Sequence, residues 1–338
     1  MKKNAKKIWV VMGVFGLFFF LFLSNDLACA KDPDYPTRPI NFYIGFGAGG
    51  PGDLLARAFI EPAGKFLGQP FIPILKPGAA GSIAVMAVIN SKPDGYALGV
   101  VMASGIFVAP FSVEAEYKDI AGLTMLSNFG GGCHVFMVRN DAPWKTWKEF
   151  IEWARKNPRG AKIGIIGAKS VTSTGIALWQ VEKKEQVEFT CVPFKGGNAE
   201  MIPATLGGVI TGFAGGADAI NMQYVSEGKL RILTYLGAEK VPGYENIPSC
   251  PEMYGISMPN VQGVVGPKGI PDYVLKKLDD AFAYAVKNPD FISAMKRLGT
   301  PVIYMDRAQM NKYVEENFQK FGEVMKAMKA EEAAQIKK

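Results

Sequence analysis

Short uncharged runs alternate along this chain with longer stretches whose apolar positions recur every three or four residues, the two periods of buried strands and amphipathic helices. Strands are predicted at Ile40–Phe46, Phe71–Leu75, Tyr96–Met102, Cys133–Arg139, Lys162–Gly167, Glu188–Val192, Val209–Phe213 and Leu230–Leu236. Helices are predicted between them. The first runs toward Leu67 with Leu55, Ala58, Phe59, Ala63 and Phe66 on one face, and Pro62 is expected to kink or break it near Ala58. Ser82 is positioned to cap the next, which ends at Asn90. Thr146-Trp147-Lys148-Glu149 is a capping box opening a helix to Lys156. Further helices cover Ser173–Lys184, Ala199–Leu206 and Ala217–Glu227, with Ala214-Gly215-Gly216 as a loop and Asp218 as a cap. Residues 105–132 are poorly periodic. The tail is clearer: Pro271–Lys287, Pro289–Leu298 and Asp306–Lys329, the last with a charged, fraying end. Strands that alternate with helices in this way predict an α/β fold with parallel sheet.

The N-terminus places the chain in a compartment. Lys2, Lys3, Lys6 and Lys7 precede the apolar run Ile8–Leu23, and Ala28-Cys29-Ala30 supplies a small-x-small cleavage pattern. The run is short for a membrane span, so residues 1–30 are read as a cleaved signal peptide and the protein as exported to the periplasm. Cys29 raises the question of a lipid anchor, but Asp26 occupies the place where a lipoprotein signal wants an aliphatic residue. Losing four lysines and Asp26 would lower the formal charge from +7 to +4. The remaining Lys and Arg are scattered, which does not indicate nucleic acid. Cys133, Cys191 and Cys250 fit no metal spacing, and their odd number leaves at least one thiol free.

The candidate chemistry centres on Ile40–Asp53, a strand, a glycine loop and a helix start. Gly45-Phe46-Gly47-Ala48-Gly49-Gly50 matches the dinucleotide pattern G-x-G-x-x-G, but that pattern needs an acidic residue about 20 positions on. No Asp or Glu stands between Glu61 and Asp94. The loop is therefore read as a main-chain cradle for a carboxylate or phosphate, with Asp53 as N-cap. Lys76-Pro77-Gly78-Ala79-Ala80-Gly81 is a second glycine loop, and Ser104 follows a strand at its carboxyl end, where open α/β sheets collect ligands.

Several segments together resemble the periplasmic solute-binding components of tripartite tricarboxylate transporters. They include Tyr35-Pro36, Gly47–Asp53 with Ala56-Arg57, Leu67-Gly68-Gln69-Pro70 and Pro77–Ile83. Pro93-Asp94-Gly95-Tyr96, Val192–Gly197, Gly228-Lys229-Leu230-Arg231, Ile247-Pro248-Ser249 and Gly266–Pro271 continue the match. The resemblance implies a bilobal type II periplasmic binding-protein fold of two α/β domains with a ligand cleft between them. Residues 31–132 plus 256–338 would form one domain and 133–255 the other, with crossings at Cys133–Arg139 and about Val261–Gly266. It also implies a small carboxylate ligand, a large and a small membrane subunit as partners, a monomeric receptor, no cofactor and no catalysis. Carried over by position, Gly47, Ala48, Gly49, Gly50, Gly52 and Asp53 would hold one end of the ligand, with Ser104 beside them. Lys169, Ser170, Thr172 and Ser173 and the turn Lys195, Gly196, Gly197 would close from the other lobe. The family's second-lobe loop is usually followed by a histidine, which Ala168–Gly175 lacks, so Lys169 is expected to replace a neutral donor and pair with a distal acidic group of the ligand.

Plainer readings stand beside these. Ser170, Thr172 and Ser173 would serve equally as helix caps, and Lys195 as a solvated turn lysine. His134, the single histidine, lies on an apolar strand and reads as a hinge or core residue. An enzyme would need a nucleophile and a base. Ser226-Glu227-Gly228-Lys229 has no accompanying partner motif. A ligand-binding sensor module with a membrane signalling partner fits the same sequence as a transporter receptor.

Overall fold

Strands covered by helices on both faces pair in parallel when each helix returns the chain to the same edge, and this rule builds three strands of each sheet, the remaining strands pairing antiparallel. The computed structural model describes residues 34–336 apart from 112–116, 118, 196 and 257, so the expected signal segment and Cys29 lie outside the described residues. From Pro36 onward the chain forms one compact unit.

The first sheet holds β1 (Ile40–Ile44), β2 (Phe71–Leu75), β3 (Ala97–Met102), β4 (Leu123–Gly130) and β10 (Gln262–Pro267), in the order β2-β1-β3-β10-β4. Helices α1 (Pro51–Leu67) and α2 (Ser82–Ile89) connect β1, β2 and β3, which are parallel, while β10 runs antiparallel to both of its neighbours. The second sheet holds β5 (His134–Arg139), β6 (Ala161–Ile166), β7 (Phe189–Phe194), β8 (Gly212–Gly216) and β9 (Leu230–Tyr235), in the order β7-β6-β8-β5-β9. Helix α3 (Trp147–Lys156) precedes β6; α4 (Ser173–Glu185), α5 (Asn198–Leu206) and α6 (Ala219–Ser226) follow β6, β7 and β8. Those three strands are parallel, so three helix starts gather at one edge. After α7 (Cys250–Tyr254) the chain returns through β10 to α8 (Asp272–Ala285), α9 (Pro289–Arg297) and α10 (Arg307–Ile336).

Aromatic packing ties this C-terminal part to the first sheet. Phe59 of α1 stacks on Phe129 of β4 with centroids 4.4 Å apart and also meets Phe282 and Phe291 from α8 and α9. All four rings are buried. Helix α10 lies over β4 and adds Met310, Val314 and Phe321 to the same lobe.

Four expectations about elements change. Helix α1 is continuous through Pro62, because its buried face holds it in place where one missing hydrogen bond would otherwise break it. Strand β8 is Gly212–Gly216 rather than Val209–Phe213 with a glycine loop after it: Val209 is 67% exposed, and a Cβ on Gly212 would meet the Met137 carbonyl at 2.4 Å. Only glycine permits that approach between β8 and β5. Strand β4 occupies the stretch without periodicity, because it is buried on both faces and its polar residues are satisfied locally, Asn128 Nδ2 donating to the Gly130 and Ile303 carbonyls. Helix α10 continues past Lys329 to Ile336, held by Trp179 Nε1 and Lys183 Nζ, which both donate to the Glu331 carboxylate.

Candidate functional site

The chain passes from one sheet to the other at Gly131–Cys133 and again before β10, and one side chain joins the two crossings. Asn260 Oδ1 accepts from the Gly132 N–H (2.9 Å), and its Nδ2 donates to the Gly132 carbonyl (3.1 Å). His134 opens β5 beside this pair, partly buried against Gly132. Desolvation lowers its pKa below the usual histidine value, and a hydrogen bond to the Gly132 backbone opposes the shift. Next to the second crossing, Ala103 N–H donates to the Val261 carbonyl, which fixes the turn that carries Ser104.

In the first lobe, β1, β2 and β3 deliver three turns to one edge: 45–50, 76–81 and 103–105. A Cβ on Gly45 would lie 2.7 Å from the Gly81 Cα, so the two glycine loops touch backbone to backbone and form a single main-chain surface. Gly78 and Gly81 have φ of 129° and 90°, where only glycine is unstrained. Gly47 and Gly49 face open space, and Gly47, Ala48 and Gly49 are exposed. Gly52 is buried under the Phe46 ring. Ser104, half-buried, begins the turn Ser104–Val108, which packs on Ala79–Gly81.

Two capping roles differ from expectation. Gly50, not Asp53, is the N-cap of α1, with Pro51 as the first helical residue. Asp53 lies one turn inside, 2% exposed, accepting from the Gly49 N–H (2.9 Å) and from Arg57 Nε (2.7 Å). Its carboxylate thus orders the loop from behind and uses up the Gly49 amide, so neither group faces a guest. Ser82 is the first residue of α2, and Gly81 with its left-handed backbone is the cap.

In the second lobe, the corresponding turns are 167–172, 195–197 and 217–218. Thr172 caps α4, its Oγ1 accepting from the Gly175 N–H (3.2 Å), which is the plainer of its two readings. Ser170 and Ser173 flank it, half-buried. Lys169 does not present a free ammonium: it donates to Glu182 Oε2, and Glu182 Oε1 accepts from the Phe189 N–H (2.7 Å). Glu182 is 8% exposed, and an isolated buried carboxylate needs a cation. Burial raises its pKa while Lys169 opposes the shift, so the lysine's charge is committed inside the lobe. Lys195 is exposed, Gly197 is the N-cap of α5 with φ 61°, and Gly196 lies outside the described residues.

Asp218 caps α6, accepting from the Asn221 N–H (3.0 Å). Sequence reasoning passed over its neighbours Asn198 and Asn221: Asn198 Nδ2 donates to the other Asp218 oxygen, and Asn221 is fully buried. Their relation required the β7–β6–β8 order, and no local signal marks it. Across from them a Cβ on Gly299, at the end of α9, would lie 2.7 Å from the Asp218 Cα, so the lobes meet here. Among the described residues Cys133, Cys191 and Cys250 are free thiols; burial pushes Cys133 and Cys191 up to about 11 and Cys250 up to about 12, which makes them poor nucleophiles at neutral pH. Among the described residues no group of three His, Cys, Asp or Glu side chains could hold a metal, and no helix is long and apolar enough to cross a membrane.

Residues 55–330 match the model of the tripartite tricarboxylate transporter family receptor. A Cupriavidus necator protein described as a UPF0065 protein in the gbd 5' region is 31% identical over 294 residues, covering 87% of this chain and 88% of its own. A TctC solute-binding protein from Polaromonas superposes with a TM-score of 0.76 at 27% identity, over 87% of this chain and 100% of its own. MatC from Rhodopseudomonas palustris with bound malate superposes with a TM-score of 0.69 at 22% identity, over 86% and 100% of the two chains. The architecture is the bilobal α/β binding-protein fold of these neighbours, with a cleft between the lobes.

Proposed function

This chain belongs to the tripartite tricarboxylate transporter family receptors, and from that premise we propose that it is a periplasmic receptor that captures a small carboxylate between its lobes and delivers it to a large and a small membrane subunit. Catalysis has no part in this reading. The observation that carries it is the fusion of the two glycine loops at Gly45 and Gly81, which gathers main chain at the carboxyl edge of the parallel strands β1, β2 and β3. Backbone amides at strand-to-helix turns favour anions. The malate held by MatC, a chain of the same fold, is a ligand of this class.

In this reading Gly47, Ala48, Gly50 and Ser104 line one wall, and Ser170, Ser173, Lys195 and Gly197 the other. Asp53, Gly49, Gly52, Thr172 and Lys169 support the walls from behind. The domains divide at residues 132 and 255, residues 1–30 are a removed export signal, and the receptor acts as a monomer. Closure of the lobes shifts an existing open–closed equilibrium. A thermal-shift screen of the chain from Lys31 over dicarboxylates, tricarboxylates, amino acids and aromatic acids tests the reading. A true ligand at 100 times its Kd adds about 2.7 kcal/mol to stability. Measurable turnover of a substrate with no stabilisation by any acid would refute it.

A further inference from the structure

We infer that the ligand carries a protonated amine beside its carboxylate, and that Asn198, Asp218 and Asn221 form the subsite that receives it. The inference rests on the carboxylate reading above and narrows it.

All three residues stand at the carboxyl edge of the second sheet, where α5 and α6 begin next to the Lys195–Gly197 turn. Their nitrogens are used internally: Asn198 Nδ2 on Asp218 Oδ2, Asn221 N on Asp218 Oδ1 (3.0 Å), and Asn221 Nδ2 on the Gly216 carbonyl (2.6 Å). These bonds fix both amides and leave two carbonyl oxygens over. Asn198 Oδ1 and Asn221 Oδ1 are buried, and neither has a hydrogen-bond partner among the described residues. Asn221 is 0% exposed. A buried acceptor left unpaired is costly, and here there are two beside a carboxylate.

What remains unspent is acceptor capacity alone, together with one negative charge. Another carboxylate would be repelled at this place. A hydroxyl could answer one acceptor. An ammonium has three donors and the opposite charge, and hydrogen bonds between ionised partners are roughly twice as strong as neutral ones. Desolvation raises the Asp218 pKa, and an adjacent cation would reverse that unfavourable state. Gly215 keeps room beside the group, since a Cβ on it would stand 3.2 Å from Asn198 Oδ1.

The test is calorimetric titration of the chain from Lys31 with three matched pairs: succinate and L-aspartate, glutarate and L-glutamate, 3-phenylpropanoate and L-phenylalanine. At least one amino member should bind roughly tenfold or more tightly than its unsubstituted partner. Asp218→Asn, which preserves the helix cap, and Asn198→Ala should each bring that ratio toward one. Equal or tighter binding of every unsubstituted acid would overturn the inference and leave the carboxylate reading standing. A preference that survives both substitutions would also overturn it. Failure of all six compounds to bind at millimolar concentration would count against the carboxylate reading itself, and the inference would fall with it.

Discussion

At the scale of single residues, the glycines of the first loop do unlike things. Gly45 abuts the Gly81 backbone at 2.7 Å, whereas Gly47 points into open space. Gly45→Ala must therefore push the two loops apart, and we expect a loss of about 1–3 kcal/mol in urea unfolding together with loss of anion binding. Gly47→Ala should unfold within about 0.5 kcal/mol of the parent, so the pair separates packing from mere glycine content. The chain shows plainly that residues 45–52 form a glycine turn between a strand and a helix. Which glycine meets backbone, and that Asp53 sits behind the loop with Arg57, depends on the contact of Gly45 with Gly81 far along the chain or on a helix register shifted by three. Lys169 teaches the same lesson: its partner Glu182 is two turns up the following helix, and only burial makes that pairing stronger than solvation.

At the scale of elements, the periodic helices α1, α3, α8 and α9 were legible because their apolar faces repeat, and β4 and β8 were not. A strand buried on both faces loses its alternation, and β8 is made of small residues that read as a turn. Pro62 was misread for a related reason: propensity is local, but α1 is held by buried aromatic contacts to β4, α8 and α9. Replacing Pro62 by Ala should therefore stabilise the protein. The helix regains about 3 kcal/mol of propensity. Loss of two buried methylenes removes about 1.6 kcal/mol. A net gain of roughly 1 kcal/mol in the free energy of urea unfolding is expected, and a loss would mean that the ring is needed for packing.

At the scale of the whole molecule, the two lobes share a hinge whose polar groups are few enough to name. The Asn260 amide closes a two-bond ring on Gly132, and Asn260→Ala would take both partners from the half-buried Gly132 N–H and C=O. A loss of about 2–4 kcal/mol in equilibrium unfolding is expected, with a wider distribution of lobe separations by solution scattering. His134, the only histidine in the chain, stands next to this ring. Its native pKa is depressed by desolvation, so below about pH 6.5 the unfolded chain takes up a proton that the native chain refuses. Stability is then complete above that pH and falls as pH drops toward the native value, by up to about 1.4 kcal/mol per pH unit. Asp218 and Glu182, whose native pKa values are raised, slope the other way, but they are present in parent and variant alike. Urea unfolding of the parent and of His134→Gln at pH 7.5, 6.5 and 5.5 isolates the histidine as the difference between two curves. The variant should lose less stability on acidification. Parallel curves would show that the ring is protonated as easily at the hinge as in water, and that the crossing is open to solvent.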